Sequence, residues 1–180
     1  MPSFFVGDFK MAKSESSKGA NLVWHPFGPL YDEQSRVLIL GSFPSVKSRE
    51  QQFFYGHPKN RFWPLLAALT GSEIPQTLEE KKQLALKNGI ALWDVIASCE
   101  IVGSSDSSIR NAKPNDITPI LENSNVRKIF TNGKTADSLY MRYIFPVTKI
   151  QSVCLPSTSP ANAAWNMERL LSAWQIILKP

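Results

Sequence analysis

Short apolar runs alternate with segments of helical periodicity along this chain, and that alternation restricts the possible folds more than any other feature. Residues 36–40 (RVLIL), 126–131 (VRKIFT) and 149–155 (KIQSVCL) are typical of buried strands, and a weaker run covers residues 90–95. Helical patterns lie between these runs. The order therefore predicts an α/β fold, with three α/β/α layers around a central, mainly parallel four-stranded sheet.

Four helices are predicted from apolar residues that recur at intervals of three and four. The predicted ranges are 62–70, 77–88, 134–143 and 160–178. Gly71 would end the first helix, and Thr77 with Glu80 forms a capping-box pattern at the start of the second. The last helix has the clearest apolar stripe, and Ser159-Pro160 offers its N-terminal cap.

The length of 180 residues allows one domain with a full hydrophobic core. We expect residues 1–21 to be a flexible lead-in, because they mix Lys, Ser and Glu and lack the apolar core of a secretory signal. Residues 22–180 would then form a single domain. No apolar run approaches the roughly 20 residues of a membrane span, so we expect a cytoplasmic protein.

The formal net charge of +5, from 20 basic and 15 acidic residues, slightly favours an anionic partner such as nucleic acid. The two cysteines lie far apart and outside any CxxC pair, which argues against a disulfide framework, a structural zinc site or an iron–sulfur cluster. The two histidines have no carboxylates near them in sequence. We therefore expect neither a metal nor another cofactor.

A long segment, residues 41–63 (GSFPSVKSREQQFFYGHPKNRFW), follows the first predicted strand, at the edge where α/β sheets bind their ligands. Loops of this length in a compact domain are often functional. Aromatic residues that stack on bases, beside cations that bind phosphates, suit a nucleotide-binding loop. The alternative is that the aromatics join the core and the charges face water. The residues concerned are Phe53, Phe54 and Tyr55, with Lys47, Arg49, Lys59 and Arg61.

A second segment, residues 155–162 (LPSTSPAN), leaves the last predicted strand and enters the last predicted helix. Ser157, Thr158 and Ser159 supply hydroxyl groups, and the start of a helix supplies unpaired N–H groups. Together these predict a phosphate site. The alternative is a well-capped helix without a ligand.

The two segments together resemble the uracil-DNA glycosylase superfamily, and within it the mismatch-specific and hypoxanthine-DNA glycosylases. Residues 41–44 (GSFP) look like the superfamily's first motif, and residues 57–63 (HPKNRFW) resemble a stretch of the mismatch-specific enzymes. Residues 155–162 fall where the family carries the loop that enters the DNA minor groove. Residues 132–134 (NGK) fall where these enzymes have a glycine–lysine helix entry.

One position departs from the superfamily's usual pattern. The residue of the first motif that is Asp or Asn in most of its families is Phe43 here, and phenylalanine cannot orient a water molecule. The same departure is typical of the hypoxanthine-DNA glycosylases, where an asparagine that matches Asn60 is thought to take over catalysis. On residues alone, Asn60 could instead cap the helix that begins near Phe62.

The resemblance implies a monomeric, monofunctional DNA glycosylase that hydrolyses the N-glycosidic bond of a deaminated base, flipped out of double-stranded DNA, with deoxyinosine favoured. No lysine is placed for a Schiff base, so we expect no lyase step. The alternatives are a uracil or thymine mismatch glycosylase and a protein that binds damaged DNA without cleaving it. The implied catalytic residues are Asn60, Ser42 through its backbone, and His57; the implied base-binding residues are Phe43, Tyr55 and Phe54. The implied DNA-binding residues are Ser157, Ser159, Ala161, Asn162 and Lys134.

Overall fold

The computed structural model describes residues 21–179, so the predicted lead-in lies outside the described residues except for Asn21, which begins the first strand. The described chain forms a four-stranded parallel sheet and a three-stranded antiparallel sheet. The strands are β1 (Asn21–Trp24), β2 (Val37–Gly41), β3 (Ile90–Asp94), β4 (Ile96–Ile101), β5 (Arg110–Pro114), β6 (Lys128–Asn132) and β7 (Ser152–Leu155).

The parallel sheet has the strand order β3-β2-β6-β7, as the α/β prediction requires. Every residue of β2 and β3 is buried, because strands covered by helices on both faces bury both sets of side chains. The chain leaves β2 for β3 on one side and later returns to β6 on the other. This reversal opens a crevice beyond the carboxyl ends of the strands, where such sheets bind ligands.

The described residues form seven α-helices: α1 (Val46–Gln51), α2 (Phe62–Thr70), α3 (Leu78–Lys87), α4 (Thr118–Glu122), α5 (Lys134–Tyr143), α6 (Phe145–Thr148) and α7 (Met167–Trp174). The predicted bounds of α2 and α5 are confirmed. Gly71 ends α2 in the left-handed conformation (φ 63°), and the capping box of Thr77 and Glu80 opens α3. Helix α1 was missed, because its six residues are almost all polar.

The predicted start of the last helix is wrong. Helix α7 begins at Met167, where the side chain of Asn166 accepts a hydrogen bond from the Arg169 N–H at 2.9 Å, and not at Ser159-Pro160. The apolar stripe is present, but it finishes in a 3₁₀ turn, Gln175–Leu178. Residues 159–165 instead form a loop, and their carbonyl groups are engaged elsewhere, as described below.

The antiparallel sheet, in the order β1-β4-β5, was not predicted. Strand β5 (RNAKP) is polar and largely exposed, so it carries no apolar signal. Strand β4 follows β3 after the single residue Val95, so the two strands look like one apolar run. This sheet matters for function because the loop from β4 to β5 carries residues 102–109 over the carboxyl edge of the parallel sheet.

Candidate active site

A cavity of about 630 Å³ opens at the carboxyl edge of the parallel sheet. Its floor is made by the last residues of three strands, Gly41, Asp94 and Asn132. The two segments singled out from the sequence form much of its wall and rim, and residues 104–107 complete the rim. All of the site residues predicted above line this cavity, with the exception of Lys134.

A buried carboxylate, Asp94, forms part of the floor and was missed in the sequence. Its side chain is 8% exposed, and its Oδ2 accepts a hydrogen bond from His25 Nε2 at 2.7 Å. Its Oδ1 lies directly over Gly41, where a Cβ atom would overlap it. Gly41 is therefore required for space. The available signal was an acidic residue at the end of an otherwise apolar run, IALWD.

Tyr55 places a hydroxyl group over the same floor. One face of its ring packs on Phe62 with centroids 4.0 Å apart, and its buried Oη has no hydrogen-bond partner among the described residues. Burial, and then the negative charge of Asp94, raise the pKa of Tyr55 well above its ordinary value. The neighbouring Asn132 amide acts in the opposite direction and lowers the pKa of Tyr55, but it does not form a hydrogen bond with Oη. The phenol therefore stays protonated and can donate to a bound molecule.

Phe43 and Phe54 supply the apolar part of the wall. Both are buried, at 7% and 3% exposure, yet both border the cavity. Phe43 lies edge-on to His25, and Phe54 packs edge-on against Phe27 and Phe53. The alternative interpretation of the aromatic run, that it joins the core, therefore holds for Phe53 and partly for Phe54.

Asn60 is both a helix-capping residue and a residue of the cavity wall. Its Oδ1 accepts hydrogen bonds from the Phe62 N–H and from the Thr158 hydroxyl, each at 2.9 Å. A backbone N–H can only donate, so the atom facing Phe62 must be the oxygen. Both lone pairs of the oxygen are thereby used, and the Nδ2 group has no partner among the described residues. Asn60 thus offers the cavity a donor rather than an acceptor.

Thr158 links Asn60 to the sheet, whereas its hydroxyl group was predicted to belong to a phosphate site. Its side chain is fully buried; its Oγ1 accepts from Asn132 Nδ2 at 2.9 Å, and its backbone N–H donates to Asn132 Oδ1 at 3.0 Å. The chain of contacts from Asn132 through Thr158 to Asn60 fixes the amide of Asn60. No sequence pattern distinguishes this threonine from its serine neighbours.

His57 borders the cavity above Asn60. Its Nδ1 accepts a hydrogen bond from the Lys59 N–H at 3.1 Å. In the neutral ring the proton therefore lies on Nε2, which makes His57 a second potential donor.

Arg61 holds the rim in place instead of binding phosphate, and this corrects the prediction. Its guanidinium group donates to the carbonyl groups of Thr158 at 3.2 Å, Ser159 at 2.7 Å and Asn162 at 3.0 Å, and also to that of Trp165. Five donors in a planar fork suit such a set of acceptors. This clamp explains why residues 159–165 form a loop rather than a helix.

The rim segment 157–162 is also braced from within. Ser157 Oγ accepts from the Ser159 N–H and Ser159 Oγ from the Ala161 N–H, both at 3.2 Å, while Asn162 Nδ2 donates to the Ser157 carbonyl at 3.0 Å. Ala161 is exposed at the tip. The predicted phosphate site at a helix start is wrong, because no helix starts here. Within residues 21–179 the hydroxyl hydrogens of the two serines nevertheless have no acceptor, so they can donate outward.

The remaining predicted cations occupy different positions. Lys134 is exposed at the start of α5, beside the cavity but not in its lining. Arg49 donates to the carbonyl groups of Pro44 and Gly103, and Lys47 pairs with Glu50 at 2.8 Å. Of the four cations predicted in the first segment, Lys59 is therefore the one whose side chain makes no hydrogen bond or ion pair among the described residues.

A second carboxylate, Asp106, borders the cavity and was also missed. The Ser42 hydroxyl donates to its Oδ2 at 2.7 Å. Although the residue is exposed as a whole, desolvation of its carboxyl group raises its pKa; the bond from Ser42 opposes this shift and the charge of Asp94 adds to it. The sequence around it, GSSDSS, looks like an ordinary polar turn.

Within residues 21–179, no three His, Cys, Asp or Glu side chains come together in a group that could hold a metal ion. Among the helices of that range, none is long and apolar enough to cross a membrane.

Comparisons with known proteins agree on one family. Residues 29–178 match the family described as the uracil DNA glycosylase superfamily. A Methanosarcina acetivorans protein named hypoxanthine DNA glycosylase is 36% identical over 157 residues, covering 85% of this chain and 96% of that protein. A protein of the same name from Methanosarcina barkeri is 34% identical over 110 residues, covering 60% and 70%. A solution NMR structure from M. acetivorans, provisionally described as a uracil DNA glycosylase, has a TM-score of 0.73 at 32% identity and covers 90% of this chain and 96% of that chain.

Proposed function

Because the chain belongs to the uracil DNA glycosylase superfamily, we propose that it is a monofunctional DNA glycosylase that removes a deaminated base, preferentially hypoxanthine, from double-stranded DNA. The observation that carries this proposal is the cavity, whose floor holds a buried acceptor, Asp94, beside a buried donor, Tyr55, that has no partner within residues 21–179. The names of the relatives from the two Methanosarcina species support hypoxanthine as the base.

The floor is complementary to a deaminated base. Hypoxanthine presents a ring N–H beside a carbonyl oxygen, so Asp94 can accept from the first while Tyr55 donates to the second. Adenine presents a ring nitrogen acceptor beside an amino donor, which is the reverse order. A buried polar group left without its partner costs about 1–3 kcal/mol, so adenine is disfavoured at this floor.

The base reaches this floor only after leaving the stack, because its glycosidic bond is inaccessible within a duplex. Unstacking costs a few kcal/mol and costs least for a mispaired base, which favours deoxyinosine over a paired guanine or thymine. The apolar wall formed by Phe43 and Phe54 can stabilise the flipped base by covering its ring.

Breaking the glycosidic bond leaves negative charge on the base and positive charge on the sugar. Fixed donors directed at the base stabilise that charge without reorganising. The amide N–H groups of Asn60 and the Nε2–H of His57 are available for this purpose, since their other polar atoms are already engaged. The backbone N–H groups of Ser42 and Phe43, which have no acceptor within residues 21–179, are further candidates.

DNA is held at the rim. The free hydroxyl hydrogens of Ser157 and Ser159 can donate to phosphates that flank the flipped nucleotide, and Asn162 keeps its Oδ1 for the edge of the minor groove. Ala161 lies at the exposed tip, where a small residue fills the emptied stack only poorly. We expect Lys134, which is exposed beside the cavity, to contact a phosphate.

The test is a strand-scission assay with the purified protein. End-labelled duplexes carry one deoxyinosine, uracil, xanthine or thymine opposite each normal base, and abasic sites are cleaved with alkali after incubation. We expect the fastest scission at deoxyinosine. Scission mainly at uracil or at a thymine mismatch would retain the glycosylase activity and overturn the preference. Tight binding without scission at any base would favour a non-catalytic reader of damaged DNA, and the absence of a polar group at Phe43 would explain it.

A further inference from the structure

The proposed reaction requires a group that accepts a proton from the attacking water, and the two expected positions do not supply one. Phe43 has no polar atom in its side chain. Asn60 has used both lone pairs of its oxygen on Phe62 and Thr158, so it cannot also accept from water. The acceptor must come from another residue that borders the cavity.

Asp106 has the required position and chemistry. It begins a 3₁₀ turn, Asp106–Ser108, in the loop between β4 and β5. Its Oδ2 accepts from the Ser42 hydroxyl at 2.7 Å, and its Oδ1 has no hydrogen-bond partner among the described residues. Both Asp106 and Ser42 line the cavity, so the free oxygen is available to a molecule bound there.

The loop that carries Asp106 is attached to the cavity wall at several points. Ser104 Oγ accepts from the Val46 N–H at 2.9 Å, and Arg49 donates to the Gly103 carbonyl at 3.2 Å. Within the loop, Ser108 Oγ accepts from the Val102 N–H at 2.9 Å. These contacts preorganise the carboxylate, which is what a catalytic group needs.

The depth of Asp106 also suits the sugar. In a flipped nucleotide the C1′ carbon lies between the base, on the floor, and the phosphates, at the rim. Asp94 ends β3 on the floor, where the proposed function puts the base, and its Oδ2 is engaged by His25. Asp106 contacts Ser42, the first residue beyond the end of β2, and belongs to the loop that forms part of the rim, so it lies on the side of the cavity where the sugar would be.

We propose that Asp106, oriented by Ser42, is the catalytic carboxylate that accepts the proton of the attacking water. This inference rests on the glycosidase function proposed above. The bond from C1′ to the base breaks, and its electron pair leaves with the base. The water oxygen bonds to C1′, one of its protons passes to Asp106, and its other proton stays on the new hydroxyl group. Asp106 then releases its proton through solvent to the base anion, which gives an abasic site and a neutral base.

The decisive variant is Asp106→Asn, because an amide oxygen can still accept the hydrogen bond from Ser42. The positioning contact is kept, whereas the carboxylate base is lost. We expect the single-turnover rate on a deoxyinosine duplex to fall by about 10²- to 10⁴-fold. Affinity for a duplex with a tetrahydrofuran abasic analogue and the Tm should remain close to those of the unmodified protein. The matched control is Glu122→Gln, an exposed carboxylate on α4 outside the cavity.

A rate within about threefold of the unmodified protein for Asp106→Asn would overturn the proposal and leave Asp106 as a loop contact. Should the Asn variant unfold, Asp106→Ser takes its place as the variant without a carboxylate, and Asp106→Glu restores one: a Glu rate above that of the Ser variant supports the proposal, and an equal or lower rate counts against it. Failure of the proposed function is distinguishable, because the unmodified protein would then cleave none of the duplexes.

Discussion

The floor and the rim of the cavity use their polar groups in opposite ways. On the floor, the Tyr55 hydroxyl and Asp94 Oδ1 have no hydrogen-bond partner in the part of the chain that the structure describes. At the rim, the serine oxygens and the Asn162 amide N–H groups bond within the loop, and Arg61 binds the carbonyl groups. Buried polar groups normally find partners, so those on the floor are reserved for a ligand, whereas those at the rim maintain a shape.

Asn60 lies where the two regions meet, and of the substitutions that compare floor with rim it should have the largest effect. Asn60→Asp keeps an oxygen for Phe62 and Thr158 but removes both N–H donors and places negative charge near the departing base. We expect the single-turnover rate on deoxyinosine to fall by about 10²- to 10³-fold, as for the loss of one oxyanion donor. The Tm should change little, because the cap is preserved.

The control for this substitution is Asn111→Asp, on the largely exposed strand β5 and outside the cavity lining. Should Asn60→Asp retain the full rate, the amide would act through its oxygen as a cap alone. Asn60 would then not provide a polar group for the ligand, and its role would be limited to hydrogen bonds within the protein.

Arg61 tests whether the rim matters only through its shape. Arg61→Lys keeps the positive charge, but an ammonium group cannot reach the carbonyl groups of four separate residues. We expect kcat to fall by about 10²-fold, since small misplacements at a catalytic site have effects of this size. The Tm should fall as well. Lys59→Ala, two residues away and exposed, is the control and should change neither quantity. An unchanged kcat and Tm in Arg61→Lys would show that the contacts with the carbonyl groups are not needed to hold the rim.

Asp94 tests whether the floor reads the base. Asp94→Asn replaces an acceptor-only group by an amide that can accept or donate, so the discrimination against adenine should weaken. We expect the ratio of the rates on deoxyinosine and deoxyadenosine, each opposite the same base, to fall by roughly tenfold to a hundredfold. Glu33→Gln, an exposed acid remote from the cavity, is the control. An unchanged ratio, with the same loss of rate on both bases, would show that Asp94 supports the floor without reading the base.

Sequence patterns predicted the parts of the molecule that depend on local order. Buried parallel strands appear as apolar runs, and helices such as α2 and α3 carry their own stop or cap at Gly71 and Thr77, so the α/β fold is confirmed. The resemblance to the uracil-DNA glycosylase superfamily is also confirmed. The motifs of that family lie in the two segments 41–63 and 155–162, and residues of both segments line the same cavity.

What sequence could not predict depends on contacts between distant segments. Arg61 contacts rim residues that follow it by about a hundred positions in the sequence. Because of these contacts the rim is a loop, and the last helix begins only at Met167. Asp106 reaches Ser42 through an antiparallel sheet whose polar edge strand has no apolar pattern. Asp94 was accessible in principle, because an acid that ends a buried strand at the carboxyl edge of a parallel sheet is unusual.

The smallest effect is expected outside the cavity, at Lys134, where the resemblance predicts a phosphate contact. Lys134 follows the carboxyl end of β6, so its exposed ammonium group lies beside the cavity. Lys134→Ala should weaken binding to all duplexes alike and lower the slope of log affinity against log salt by about one, with no change in the preferred base. Lys87→Ala is the matched control, since that lysine is exposed at the end of α3, just before β3 begins at the opposite edge of the sheet. An equal change of slope in both variants would mean that the net charge, rather than a contact beside the rim, attracts DNA.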